Sequence, residues 1–398
     1  MAAIKIAHVA TIDMSLRYLL LNQLSSLQQD GYDVYGISAP GPDVPTVEAA
    51  RIHHIPVSMT RNVTPFADLI SLWRLYRVMR RERFTIVHGH TPKAELLGQV
   101  AARLAGVPIV VDTFRGIYFR QDMHPFWRRL FILMARTAAS RADVVFSQSR
   151  WAMEMAIREG ICPPEKIKYL GNGIDIQRFN RNRISHSHLN QLRVQLELPP
   201  KTPVVGFVGR LVREKGVLEL LEAARIIQRQ LPPVRFLFIG PLDQEKADAV
   251  QLDIVREYGL EKSCIFTGLR HDLPELYALM DIFVLPTHRE SFPRSPIEAS
   301  AMGVPCILTD IPGCREVVEH DQNGWLVPVG DVPALAEAIL KLLNDPVQAR
   351  RLGERGQHIV RECFDEQLIF DRIKVEYARL LKIKGLPMPA VQPEIMSL

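Results

Sequence analysis

This chain of 398 residues predicts an α/β protein made of two tandem, doubly wound parallel-sheet domains. Three observations lead there. The length exceeds what one ordinary core supports, so two domains of similar size are expected. Short apolar runs alternate with longer stretches of helical spacing, and this alternation stops near residue 172 and restarts near residue 202. The runs are apolar throughout rather than at every second position, which marks strands covered on both faces by helices.

In the first half, strands are expected at KIAHVA (5–10), DVYGIS (33–38), TIVHGH (85–90), VPIVVDTF (107–114) and DVVFSQS (143–149). Helical spacing covers 15–30, 65–83, 92–105, 125–140 and 149–159. Residues 172–200 are polar with a Pro-Pro end, and read as a linker with some helix in it. The second alternation supplies TPVVGFVGR (202–210), RFLFIG (235–240), CIFTG (264–268), DIFVLP (281–286) and VPCILTD (304–310), with DVPALAEAILKLLND as a later helix. The expected boundaries are an N-terminal domain over 1–175, a linker over 176–200 and a C-terminal domain over 201–362. A C-terminal helix over 363–385 is expected to pack back on the first domain, followed by a frayed tail over 386–398. Such a tandem places a cleft where the carboxyl ends of the two sheets face each other.

Composition narrows the class. Hydrophobic content of 47% and charged content of 23% are ordinary for a folded soluble protein. No apolar run approaches the roughly 18 residues of a membrane span, and MAAIKIAHVA lacks the pattern of a signal peptide. Cys162, Cys264, Cys306, Cys314 and Cys363 form no C-x-x-C pair and no zinc spacing, so reduced thiols in a cytosolic protein are expected. The net charge of +5 is uneven: residues 1–180 hold 22 Lys+Arg against 15 Asp+Glu, and 18 of those 22 are arginine. Arginine's planar fork suits phosphate-bearing partners.

Two motifs in the second half could carry chemistry. VGRLVREKG (208–216) directly follows a strand, which sets Gly209, Arg210 and Lys215 at the carboxyl end of the sheet. The two cations there could close on a pyrophosphate, or belong to a solvated basic loop. The loop is not a Walker loop, and no G-x-G-x-x-G follows the first strand. ESFPRSPIEASAMGVP (290–305) places Glu290 in the loop after a strand, where a carboxylate would accept hydrogen bonds from sugar hydroxyls or simply face solvent. Its Ser295-Pro296-Ile297-Glu298 reads as a capping box, with Ser295 as N-cap, contributing about 1 kcal/mol. A helix start also attracts phosphate.

In the first half, VATIDMSLR offers Asp13 and Ser15 for an acceptor or a phosphate, with Ser15 as an N-cap the alternative. His88 and His90 share one face at the end of a strand. They read as structural histidines or as a proton acceptor, and a metal pair is disfavoured because no third ligand is visible. In SLWRLYRVMRRER, Arg74, Arg77 and Arg81 share a helical face, with Phe66, Ile70, Trp73 and Tyr76 at core-like spacing; HPFWRRLFILMAR is similar. Each reads as a buried plus a solvated face, or as an attachment to anionic lipid.

G-R-x4-K-G after the first strand of the second domain, E-x7-E before a small-residue helix, FPRSPIEASAMGVPCILTDIPGCREVV, NGWLVPVGD, IDMSLRYLL and VHGHTPKAELLG together resemble one family over residues 4–380. It is that of the family-4 retaining glycosyltransferases of the GT-B fold, whose two domains are Rossmann-like, in the bacterial type that builds capsules, exopolysaccharides and O-antigens. The resemblance implies that Arg210 and Lys215 hold the donor diphosphate and that Glu290 contacts the transferred sugar. Gly209, Phe292, Pro293, Arg294 and Ser295 would surround it, Glu298 would bond the ribose, and Leu269, Arg270 and His271 would flank the base. The acceptor side would hold Asp13, Ser15, His90, Lys93 and Arg115, with either His90 or the leaving phosphate taking the acceptor's proton. The implied reaction moves a hexosyl group from a nucleoside diphosphate sugar, expected to be a UDP-sugar, to a polyprenyl-diphosphate-linked saccharide, with retention. No cofactor, metal or nucleic-acid partner is expected, and the sequence contains no D-x-D. The implied place is the cytoplasm, with peripheral contact at the inner face of the membrane. Arg115 stands where relatives often carry a histidine, which puts a direct general-base histidine there in doubt. A UDP-sugar 2-epimerase of the same fold and an inactive nucleotide-sugar-binding scaffold are the rival readings.

Overall fold

The computed structural model describes residues 4–60, 64–116, 123–242 and 248–389. The chain divides into two compact units, residues 1–171 with 369–398 and residues 172–368. Of the tail expected over 386–398, residues 390–398 lie outside the described residues. Among those described, no helix is long and apolar enough to cross a membrane.

The first unit holds a seven-stranded parallel sheet of β1 (Lys5–Ile12), β2 (Asp33–Ala39), β3 (His53–Pro56), β4 (Ile86–Gly89), β5 (Ile109–Phe114), β6 (Val144–Ser147) and β7 (Ile167–Tyr169). Their order is β3-β2-β1-β4-β5-β6-β7. Alternate residues of each strand point to opposite faces, and the two faces build separate cores. Ile6, Ile86, Ile109 and Val111 pack with Leu16, Leu20 and Leu24 and with Phe370, Ile373, Tyr377 and Leu381 of the C-terminal Glu366–Ile383 helix. Ala7, Val9, Val87 and Val110 pack with Leu75, Met79, Ala94 and Ala101 from the Pro65–Glu82 and Pro92–Ala105 helices. The core-like spacing of Phe66, Ile70 and Trp73 misleads: the Pro65–Glu82 helix buries Ser71, Leu75 and Met79 instead and leaves those three exposed.

The second unit holds a six-stranded parallel sheet of β8 (Val204–Val208), β9 (Arg235–Ile239), β10 (Cys264–Phe266), β11 (Ile282–Leu285), β12 (Cys306–Thr309) and β13 (Gly324–Val327), ordered β10-β9-β8-β11-β12-β13. The reading of 176–200 as a linker needs correction. Ile174, Phe179, Leu192 and Leu198 are buried in this unit's core, and residues 172–200 belong to it. Four apolar side chains in a polar stretch are enough to dock it, since each buried one contributes about 1.5–3 kcal/mol.

Candidate functional site

In the second unit the chain leaves β8 toward β9 and β10, then returns to β11 on the other side of β8. At such a reversal the loops at the carboxyl ends part and leave a crevice, the usual ligand position in open α/β sheets. The two bordering loops are 209–216, after β8, and 286–293, after β11. They contain Gly209, Arg210, Lys215, Glu290, Phe292 and Pro293.

Glycine permits the close approach of these loops. Gly216 has φ +73°, and a Cβ there would lie 2.0 Å from the carbonyl oxygen of Pro286. The carbonyl of Glu214 accepts from the His288 amide at 2.9 Å and from Thr287 Oγ1 at 3.1 Å. Lys215 Nζ then pairs with Glu290 Oε1, closing the two loops on each other. A Cβ on Gly313 would fall 2.1 Å from the Glu290 carbonyl oxygen, so the Pro312–Arg315 helix, after β12, packs tightly on the same peptide. Glu290 is thus a positioned carboxylate beside a positioned cation, both half-buried.

The helix after this loop spans Arg294–Ala301 with Pro293 as its N-cap, and no side chain caps it. The expected capping box is therefore absent. Pro293, at φ −71° and ψ 131°, takes the extended N-cap geometry, and Ser295 falls inside the first turn. Glu298 serves elsewhere: its Oε2 accepts from the Tyr277 hydroxyl at 3.0 Å. The first-turn amides carry the partial positive charge of a helix start toward the loop. Phe292 is buried against Phe364, and its carbonyl accepts from Asn172 at 3.2 Å. Leu269 is exposed, and Arg270 Nε donates to Asp272 at 2.8 Å.

The first sheet reverses between β1 and β4. There β1 and β4 run in register with His8 opposite His88, and the backbone amide of His90 donates to the Val9 carbonyl at 3.1 Å. His8 is the third imidazole that the sequence reading lacked. Its signal was its place in KIAHVA, matching His88 in TIVHGH once the two strands pair. The three ligand-type atoms lie within 4.8 Å of one another. They nevertheless form a hydrogen-bonded stack unsuited to a cation. His88 meets the Tyr377 hydroxyl through Nδ1 and Thr113 Oγ1 through Nε2, each at 2.6 Å, while His8 Nδ1 meets His90 Nε2 at 2.8 Å. Arg115 Nη2 lies 3.4 Å from His90 Nδ1. A guanidinium only donates, so His90 accepts at Nδ1, carries its proton on Nε2 and donates to His8. Burial pushes the His8 pKa down to about 3, with Arg115 adding to the shift, and holds His88 and His90 well below the ordinary imidazole value.

Two of the other acceptor-side candidates, Asp13 and Lys93, are engaged in the fold. Asp13 Oδ2 accepts the Asp43 amide at 2.7 Å, and Lys93 bonds Asp68 at 2.6 Å and Thr60 at 2.7 Å. Ser15 makes no side-chain cap bond, because its helix already begins at Asp13. Nearby, Asp112 and Glu95 are buried. Burial lifts Asp112 to about 7, and burial together with the Asp112 charge lifts Glu95 well above the carboxylate range. Asp112 therefore holds its proton in the folded state at pH values where the unfolded chain, near 4, has lost it. Stability from this group falls as pH rises from about 4 to 7. Melting temperatures of Asp112→Asn should exceed wild type by a margin that grows across that window and levels off above it.

Comparison with known proteins agrees with this architecture. Residues 190–359 match the model for glycosyl transferases group 1, and residues 18–173 match the glycosyl transferase 4-like domain. The chain is 31% identical over 386 residues to the capsular polysaccharide biosynthesis glycosyltransferase CapM of Staphylococcus aureus, covering 95% of this chain and 98% of the relative. It is 30% identical over 351 residues to the UDP-Gal:alpha-D-GlcNAc-diphosphoundecaprenol alpha-1,3-galactosyltransferase of Escherichia coli, covering 86% and 89%. Its fold matches the crystal structure of Anabaena Alr3699/HepE in complex with UDP and glucose, with a TM-score of 0.82 and 23% identity over 94% of this chain and all of that one. Two parallel-sheet α/β units of this kind make up the GT-B fold. The chain belongs to the group 1 glycosyltransferase family.

Proposed function

We propose that the second unit seats a nucleoside diphosphate sugar at the β8/β11 reversal, and that the enzyme transfers its hexosyl group, with retention, to a polyprenyl-diphosphate-linked saccharide. The observation that carries this reading is the Lys215–Glu290 pair at that reversal, next to a helix start that no side chain caps. The E. coli relative names a UDP-sugar and a lipid-linked acceptor, and the Anabaena neighbour was crystallised with UDP; both support UDP as the carrier.

In this reading Arg210, Lys215 and the first-turn amides of the Arg294–Ala301 helix meet the charge that grows on the diphosphate. Glu290 accepts from sugar hydroxyls, Glu298 from the ribose, and Leu269 and Arg270 border the base. The bond from the anomeric carbon to the diphosphate oxygen breaks, and a bond to the acceptor oxygen forms on the same face. The acceptor's proton goes to the departing phosphate. His90 is an unready base here, since its Nδ1 lone pair faces Arg115 and its Nε2 bears the proton. Protein cations, rather than a metal, balance the leaving group. The acceptor would be presented at the inner face of the cytoplasmic membrane, with the enzyme attached peripherally.

A thermal-shift series tests the seat: UDP at about 100-fold its dissociation constant should add about 2.7 kcal/mol of stability. The gain should shrink sharply in Lys215→Met. Incubation with UDP-sugar alone separates the epimerase rival, which would form a 2-epimer without acceptor. Measurable donor hydrolysis lost in Glu290→Ala excludes an idle scaffold.

A further inference from the structure

The second unit buries a phenol that the proposed chemistry leaves unused. Tyr277, on the Leu273–Ala278 helix before β11, is among the largest wholly enclosed side chains, at 0% exposure. Its ring centroid lies 6.1 Å from that of Phe179, nearly edge on, and 5.9 Å from that of Phe283 in β11. Both contacts are apolar, so a phenylalanine would fill the same space with no hydroxyl to satisfy. The hydroxyl instead donates to Glu298 Oε2 at 3.0 Å. Glu298 lies on the Arg294–Ala301 helix and is half-buried.

The choice of acceptor is informative. A buried hydroxyl needs a partner, and a backbone carbonyl would serve. Here it takes one oxygen of a carboxylate, and the charge on that acceptor strengthens the bond. Burial, with the Glu298 charge adding to it, holds the Tyr277 hydroxyl well above its ordinary pKa, so it stays a donor at any working pH. Phe179 and Phe283 flank the ring and keep it from swinging away. A glutamate on a helix surface otherwise samples several rotamers, and a ligand that needs one of them bears the ordering cost. The bond from Tyr277 settles that rotamer beforehand. It leaves Oε1, with its two lone pairs, to accept from a pair of hydroxyls.

We infer that Tyr277 is a positioning residue for the nucleotide. It fixes the Glu298 carboxylate by one oxygen so that the other accepts from the ribose hydroxyls, and it thereby sets how strongly the site prefers a ribonucleotide. The inference rests on the proposed ribose contact at Glu298. It adds that this contact depends on an enclosed side chain 21 positions earlier in the chain.

Calorimetric titration of the full chain with UDP and with dideoxy-UDP, which lacks both ribose hydroxyls, tests it. Wild type should bind UDP at least about thirtyfold more tightly than the dideoxy analogue. Tyr277→Phe, which keeps the ring, should shrink that ratio about tenfold while its affinity for dideoxy-UDP changes less than about threefold. In transfer assays the same variant should raise KM for the donor about tenfold and leave kcat within about twofold. A merely structural role would weaken both nucleotides alike, or neither. An unchanged ratio in Tyr277→Phe, beside a wild type that discriminates, overturns the inference and leaves the ribose contact standing. A wild type that binds the two nucleotides equally overturns both. Should Tyr277→Phe melt too low to assay, a crystal structure of wild type with UDP decides. One Glu298 oxygen should then hold Tyr277 while the other meets the ribose, and a Glu298 turned away from Tyr277 overturns the inference.

Discussion

Lys215→Met is expected to lower kcat/KM for sugar transfer about a thousandfold. Loss of one preorganised donor to a developing oxyanion typically costs about 10²–10³ in rate, and here a full positive charge goes with it. The substitution also leaves Glu290 half-buried without its partner. Glu290→Ala should fall comparably, while UDP still binds. Because the two side chains close one pair of loops, the double variant should be little worse than the poorer single variant. Initial rates for the four proteins of this cycle decide the matter. Additive losses would mean that the pair does not act as a unit.

Gly216→Ala is expected to destabilise the protein by about 3 kcal/mol or more. The left-handed backbone at φ +73° alone costs a non-glycine residue about 1–2 kcal/mol. The added Cβ would also stand 2.0 Å from the Pro286 carbonyl, which has no flexible side-chain end to give way. The collision forces the 209–216 and 286–293 loops apart, so UDP affinity should fall along with the urea midpoint. Gly330→Ala is the control. Its φ is +74°, but nothing lies within 4 Å of its would-be Cβ, so only the backbone strain of about 1 kcal/mol should appear. Equal losses in the two variants would show that loop contact contributes nothing at Gly216.

Much of this fold was legible because apolar runs such as VVGFV and IFVL declare a strand whatever surrounds them. The strands at His53–Pro56, Ile167–Tyr169 and Gly324–Val327 do not stand out in the sequence: all three are sheet edges, and His53 and Pro56 face solvent. Leu192 and Leu198 were hidden for the opposite reason, since a few docking residues leave no period in a polar segment.

The positions of Arg210, Lys215 and Glu290 came out of the sequence because loop position follows from strand position, and all three sit just beyond strand ends. Partnerships across the chain were not legible. Glu298 looked like a local cap, and its bond to Tyr277, 21 positions earlier, needed the fold. Asp13 and Lys93 carried the right chemistry for an acceptor, yet Asp43 and Asp68 had already engaged them. His8 joined the imidazole stack only through strand register. Sequence placed charges near the crevices; only tertiary pairing told which of them the fold had used.

The most direct test of the diphosphate seat is a crystal structure of the protein soaked with UDP. The diphosphate should lie within hydrogen-bond distance of Lys215 Nζ and of the first-turn amides of the Arg294–Ala301 helix, with the ribose at Glu298. A nucleotide bound elsewhere, with the 209–216 and 286–293 loops empty, would contradict it.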